Sequence, residues 1–208
     1  KPILNFQKNI QKSEKDAQYS KYQHHDAVYS LMDTIQALIR KSSVIYSEIE
    51  IKTVIKNIAD QVNQTIQTDD LYVLCVMNGA LIFAGQLLPR LEKNIQYSYI
   101  HATRYAASLT GGPIHWLVKP PIDIEGKTVL ILDDILDEGI TLREIATTCL
   151  AMKAKAIYTA VLFDKEITKE KSYFPNFIGL KVPNRFVFGY GLDCKGLGRN
   201  LPHLYALD

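Results

Sequence analysis

The sequence predicts an α/β protein built on a central, mainly parallel sheet flanked by helices, and three stretches carry that prediction. Leu71 to Met77 is an apolar run followed by Asn78-Gly79 and a helical pattern. Thr128 to Leu132 is a second run, which ends in acids and leads through Gly139 into another helical pattern. Ala156 to Phe163 is a third. Strand, helix, strand in repetition is the signature of right-handed crossovers between parallel strands.

Taken in order, Lys1 to Asp26 are rich in Lys, Gln, Ser and Tyr with little periodicity. They are read as a polar extension that docks loosely or on a partner subunit, and residues 27–208 as a single domain. Val28, Leu31, Ile35 and Leu38 recur at spacings of three and four, which predicts a helix from Ala27. Ser47 and Glu50 have capping-box spacing and start a second helix. Its apolar face is Ile51, Val54, Ile55, Ile58, Val62 and Ile66. The strand Leu71 to Met77 is followed by a helix from about Ala80 to Leu91, then by a strand over Ile95 to Ala102. Arg104 to Pro113 lacks periodicity and holds Gly111-Gly112-Pro113, a loop, with Ile114 to Val118 returning as a partner strand. No internal repeat and no long linker divides the chain.

Composition narrows the function. At roughly 150 residues per domain, 208 residues make one to one-and-a-half domains. Hydrophobic residues at 47% and charged residues at 22% exclude a disordered tail, a collagen or a low-complexity scaffold. The net charge of +2 is too small a bias to wrap nucleic acid, so no nucleic-acid partner is expected. No apolar run reaches the roughly 18 residues that cross a bilayer, and the start does not resemble a signal peptide. Opening on Lys1 is what a trimmed or processed chain would show. Cys75, Cys149 and Cys194 are odd in number and include no CxxC, so a reducing, cytoplasmic setting is expected. None of the five histidines forms HxxxH, and the adjacent His24-His25 pair is read as solvated.

The chemistry concentrates in Val129 to Leu142. Four apolar residues bury a strand on both faces, and ligands of open α/β sheets bind where such strands end. Asp133 and Asp134 there can accept hydrogen bonds from vicinal hydroxyls. The Gly139 turn opens a helix whose free N–H groups suit a phosphate. Thr141 is expected to cap that helix, with Glu144 at capping-box spacing, and to offer its hydroxyl to the anion. Acids for a ribose beside donors for a phosphate describe a site for a ribose 5-phosphate. Paired acids also end strands in response regulators and nucleotide triphosphatases. A phosphate loop of the latter kind fails here: Pro121 stands where Gly126-Lys127-Thr128 would need its first glycine, and that triplet precedes a strand.

This stretch resembles the phosphoribosyl-pyrophosphate signature of the type I phosphoribosyltransferases. With Asn184 to Asp193 and Arg199-Asn200 at their spacing, it is similar to the hypoxanthine-guanine phosphoribosyltransferases over about Ala27 to Asp208. The resemblance implies their fold, with a small hood formed by N- and C-terminal segments. It implies that Asp133 and Asp134 hold the ribose hydroxyls of phosphoribosyl pyrophosphate (PRPP). Asp137, Glu138, Gly139, Ile140 and Thr141 would cradle the 5′-phosphate, and Asp137 would assist proton transfer at N7 of the base. Asn78 and Gly79 would meet the pyrophosphate through a cis peptide, and Arg199 would clamp it. Lys165, a donor only, would favour a 6-oxopurine, Phe186 would stack on the base, and Val187 would read its edge. Asp193 would help hold Mg2+, with Asp133 and Asp134 as further candidates. Arg104 and Tyr105 would close a mobile loop over the reacting centre.

The implied reaction is Mg2+-dependent transfer of 5-phosphoribosyl from PRPP to N9 of hypoxanthine or guanine. It would give IMP or GMP plus pyrophosphate, in a homodimer or homotetramer. The alternatives are a xanthine-preferring relative and a PRPP-sensing regulator without catalysis. Five positions depart from the pattern, one of them Arg104, where the mobile loop usually carries a serine before its tyrosine. Asn78 stands where many relatives have lysine. Glu138 replaces a Thr or Ser and is expected to point away from the phosphate, which would repel it. Cys194 and Leu197 replace residues that are often aromatic.

Overall fold

A computed structural model describes residues 35–104 and 114–208 of the chain. The chain divides into two compact units, Lys1–Ser43 with Asp208, and Val44–Leu207. In the first, residues 35–40 are helical, within the span where Ile35 and Leu38 predict a helix. Val28, Leu31, the polar extension and the His24-His25 pair lie outside the described residues.

The second unit carries the whole six-stranded sheet. In chain order come β1 (Ser42–Tyr46), α1 (Glu48–Thr65), β2 (Asp70–Val76), α2 (Leu81–Leu87), β3 (Asn94–Arg104), β4 (Ile114–Val118) and β5 (Thr128–Leu136). There follow α3 (Ile140–Ala151), β6 (Ala156–Lys165), β7 (Phe177–Val182), β8 (Val187–Phe188) and β9 (Leu204–Leu207). Six strands form a sheet in the order β4-β3-β2-β5-β6-β7, parallel except where β4 runs against β3. A three-stranded sheet, β1-β9-β8, draws on segments from both ends of the sequence, as expected of the hood.

Helix α1 begins as its capping box predicts. The Glu50 N–H donates to Ser47 Oγ at 3.4 Å, and the Ser47 N–H donates back to Glu50 Oε2 at 2.8 Å. Its Ile51, Ile55, Ile58 and Val62 are buried on one face of the large sheet, with Phe83, Ala84 and Leu87 of α2. Leu142, Ile145, Ala146 and Cys149 of α3 pack on the other. Strand parity divides the central residues accordingly: Val73 and Cys75 face the first core, Leu74 and Val76 the second. Each fully buried Leu or Ile contributes about 1.5–3 kcal/mol, so these faces anchor the sheet from both sides.

The structure corrects several boundaries. Helix α2 ends at Leu87, not Leu91, and a 3-10 turn over Leu88–Arg90 follows. Pro89 offers no N–H to continue an α-helix. Strand β5 runs to Leu136, not Leu132, and β6 to Lys165, because the two extend each other's ladder as far as Leu136 and Asp164. Strand β3 includes Arg104, and the rest of the expected loop, 105–113, lies outside the described residues. Strands β1, β7, β8 and β9 are additions: in β7 the burial runs buried-exposed-half-half-exposed-buried, which is no clean alternation.

Candidate active site

The site lies where the chain's path through the sheet divides. From β2 the chain crosses by α2 to β3 on one side; from β5 it crosses by α3 to β6 on the other. The two connecting helices cover opposite faces, so a crevice opens between the C-terminal ends of β2 and β5. It holds a cavity of about 360 Å³. Asn78, Gly79, Asp133, Asp134, Asp137, Glu138, Gly139, Ile140, Thr141, Asp193 and Arg199 all line it.

The paired acids sit inside β5, not beyond its end. Asp133 Oδ1 accepts the Asp134 N–H at 3.0 Å, and Asp134 Oδ1 accepts the Ile135 N–H at 2.9 Å. Burial pushes the Asp133 carboxyl well above the usual carboxylate range, and the neighbouring Asp134 charge adds to it. Burial raises Asp134 as well, against hydrogen bonds from Asp133 and the backbone and the nearby Arg199 charge. Gly79 packs directly on this pair: a Cβ there would stand 1.7 Å from Asp134 Oδ2. The preceding Met77–Asn78 peptide is cis.

The expected phosphate loop departs from its sequence reading at one position. Helix α3 starts at Ile140 with left-handed Gly139 (φ 77°) as its N-cap, and no side chain caps it. Thr141 is therefore inside the first turn and is not the cap, contrary to its spacing with Glu144. The turn that the glycine makes moves the cap two residues earlier, from Thr141 to Gly139. The first-turn N–H groups, at the cavity wall, thus have no side-chain cap. Glu138 lines the cavity too, with Oε1 2.8 Å from Lys169 Nζ.

Lys165 Nζ lies 3.6 Å from Asp137 Oδ2, so the end of β6 meets the loop after β5. Asp137 is more than half exposed, at 57% of its side chain. Arg199 reaches Asp193 Oδ1 at 2.6 Å and donates to the Gly191 carbonyl at 2.7 Å. Asp193 Oδ2 also accepts the Gly196 N–H at 2.6 Å. Phe186 is 48% exposed and Val187 is buried in β8; neither lines the cavity. Arg104 closes β3, and Tyr105 lies outside the described residues. Sequence reasoning missed His101 and Ala102, which line the cavity from β3. It also missed Lys169, Lys171 and Ser172, which bind the loop from behind. Their charged, aperiodic run carries no signal beyond that of a solvated loop.

No three His, Cys, Asp or Glu among the described residues cluster as a metal-holding group. The separate carboxylates at Asp193 and at Asp133-Asp134 still suit Mg2+, which keeps waters and substrate oxygens and takes few protein ligands. Among the described residues, no helix is long and apolar enough to cross a membrane.

Comparison with known proteins agrees with this geometry. Residues 43–195 match the phosphoribosyl transferase domain. The chain is 32% identical to a hypoxanthine-guanine phosphoribosyltransferase of Aquifex aeolicus, over 81% of this chain and 96% of that one. It is 30% identical to the Bacillus subtilis protein of that name, over 79% and 92%. A solved hypoxanthine phosphoribosyltransferase of Staphylococcus aureus superposes with a TM-score of 0.77 at 26% identity, covering 83% of this chain and 95% of that one. The Bacillus anthracis hypoxanthine-guanine enzyme gives 0.75 at 27%, covering 80% and 98%. By its sheet topology, its strand-end acids and these likenesses, the chain belongs to the phosphoribosyltransferase family, among the hypoxanthine-guanine phosphoribosyltransferases.

Proposed function

We propose that this chain is a Mg2+-dependent purine-salvage enzyme that transfers 5-phosphoribosyl from PRPP to N9 of hypoxanthine or guanine. The observation that carries the reading is a carboxylate pair and an uncapped helix start in one cavity, with Lys165 against Asp137 at its edge. In the reaction, N9 bonds to the anomeric carbon as pyrophosphate leaves. Asp133 and Asp134 accept hydrogen bonds from the ribose hydroxyls. The first-turn N–H groups of α3 and the Thr141 hydroxyl hold the 5′-phosphate. Asp137 takes the proton that the base loses, a transfer that a positioned carboxylate accelerates by about 10²–10⁴-fold. Lys165 donates to the 6-oxo group, which a 6-aminopurine lacks. Phe186 stacks on the base and Val187 reads its edge. Asn78, Gly79 and Arg199 meet the pyrophosphate, whose developing charge Arg199 offsets. Arg104 and Tyr105 close over the centre and exclude water. Asp193, with Asp133 and Asp134, would hold Mg2+, which supplies charge neutralisation at the pyrophosphate. Residues 27–208 form the catalytic domain and Lys1–Asp26 an extension to it, in a cytoplasmic homodimer or homotetramer.

The test is nucleotide formation from PRPP with hypoxanthine, guanine, xanthine and adenine in turn, with and without Mg2+. IMP and GMP formation that needs Mg2+, with adenine inert, is the expected result. Turnover of xanthine alone would overturn the base assignment, and tight PRPP binding with no turnover would make the chain a sensor. Asp137→Asn should lower kcat at least about 100-fold while PRPP still binds, measured by calorimetry.

A further inference from the structure

We infer that Lys171 is a positioning residue that ties the phosphate loop to the base-reading end of β6; the inference rests on the reading proposed above. Leu136 and Asp164 are opposite partners at the end of the β5–β6 ladder. The loop Asp137–Gly139 departs one residue after Leu136, and Lys165 follows one residue after Asp164. The Lys171 ammonium joins this rung: it donates to the Leu136 carbonyl at 3.3 Å and pairs closely with Asp164 Oδ1. The two side chains are only 13% and 17% exposed. An ammonium held so far out of water is retained only against good acceptors.

The same return segment fastens the loop further along. The Ser172 N–H and Oγ both donate to the Glu138 carbonyl, at 2.9 and 2.8 Å. Lys169 pairs with the Glu138 carboxylate. The Tyr173 backbone nitrogen stands 3.1 Å from where a Gly139 Cβ would be. Leu136, Glu138 and Gly139 are thus each held from behind, leaving their other side to the cavity. Successive strand residues point to opposite faces, so Lys171 binds Asp164 on the face away from Lys165. Lys165 keeps its own contact with Asp137. One buried ion pair therefore sets the separation between the 5′-phosphate cradle and the lysine that reads the base.

Lys171→Met, Lys171→Arg and the double variant Lys171→Met/Asp164→Asn separate positioning from simple support. The readouts are the melting temperature, the KM for PRPP against kcat, and calorimetric binding of ribose 5-phosphate. Lys171→Met should melt lower and raise the KM for PRPP about tenfold, with a smaller change in kcat. Lys171→Arg should restore most of both. The double variant leaves no buried carboxylate without a partner, so its melting temperature should recover while the raised KM and weakened ribose 5-phosphate binding persist. Recovery of both together, or a native KM in Lys171→Met, would overturn the inference. Failure of the unmutated chain to bind PRPP would instead overturn the functional reading, and is read before any variant is made.

Discussion

The starts of helices α1 and α3 each carry a hydroxyl residue with glutamate three positions on, yet the helices begin differently. At α1, Ser47 and Glu50 satisfy each other's backbone N–H groups. At α3, Thr141 and Glu144 have the same spacing, but the helix starts at Ile140, behind a left-handed glycine, with no side-chain cap. The capped end lies outside the crevice and closes its own hydrogen bonds. The uncapped end faces the cavity beside two carboxylates and leaves N–H groups for an anion. A helix start without a cap at a strand-end crevice is therefore a binding feature, whereas the same local pattern with its cap made is scaffold.

Gly139→Ala tests the comparison most severely. A Cβ there sits at φ 77° and within 3.1–3.3 Å of Tyr173 backbone and side-chain atoms, so the turn must shift. The expected loss in kcat/KM for PRPP is about 100-fold, since displacing a positioned group by an ångström costs that much. An unchanged value would detach the α3 start from phosphate binding.

Asp133→Asn should weaken PRPP binding about tenfold, the worth of a charge-assisted hydrogen bond. It should also stabilise the free protein. Burial raises the Asp133 pKa in the fold, so stability is lost as pH rises from the ordinary carboxylate range, where the unfolded chain ionises, toward the raised value. The neutral amide escapes this cost and still offers an oxygen to the Asp134 N–H. Its melting temperature should exceed the native one by about 3 °C near neutral pH. The gain should vanish as pH falls into the ordinary carboxylate range, where the unfolded chain is protonated too, and a gain that grows on acidification would refute the sign.

Ser47→Ala sets the small end of the scale. Losing the cap costs about 1 kcal/mol, or about 3 °C of melting temperature for a chain of this size. The KM for PRPP and kcat should not change, because the capped end is remote from the chemistry.

Much of this was legible in the residues. The face of α1 from Ile51 to Ile66, the buried runs of β2 and β5, and the pairing of β4 with β3 follow from local period and burial. The phosphoribosyl motif marked most of the cavity wall, since its residues are contiguous in sequence and so adjacent in space. Strands β7, β8 and β9 were not legible: they are short, and partners remote in sequence decide their pairing. Thr141 shows the limit of spacing as an argument, because one left-handed glycine moved the helix start.

The sequence by itself determined the parallel α/β arrangement, the acid pair that follows the apolar run of β5 and the glycine turn before α3, because each depends on neighbours along the chain. Only the tertiary structure decided that Lys165 meets Asp137, that Arg199 leans on Asp193 and Gly191, and that Lys171 closes the rung between Leu136 and Asp164. Those contacts join side chains from different segments, and their geometry comes into being only when packed helices fix where each strand ends.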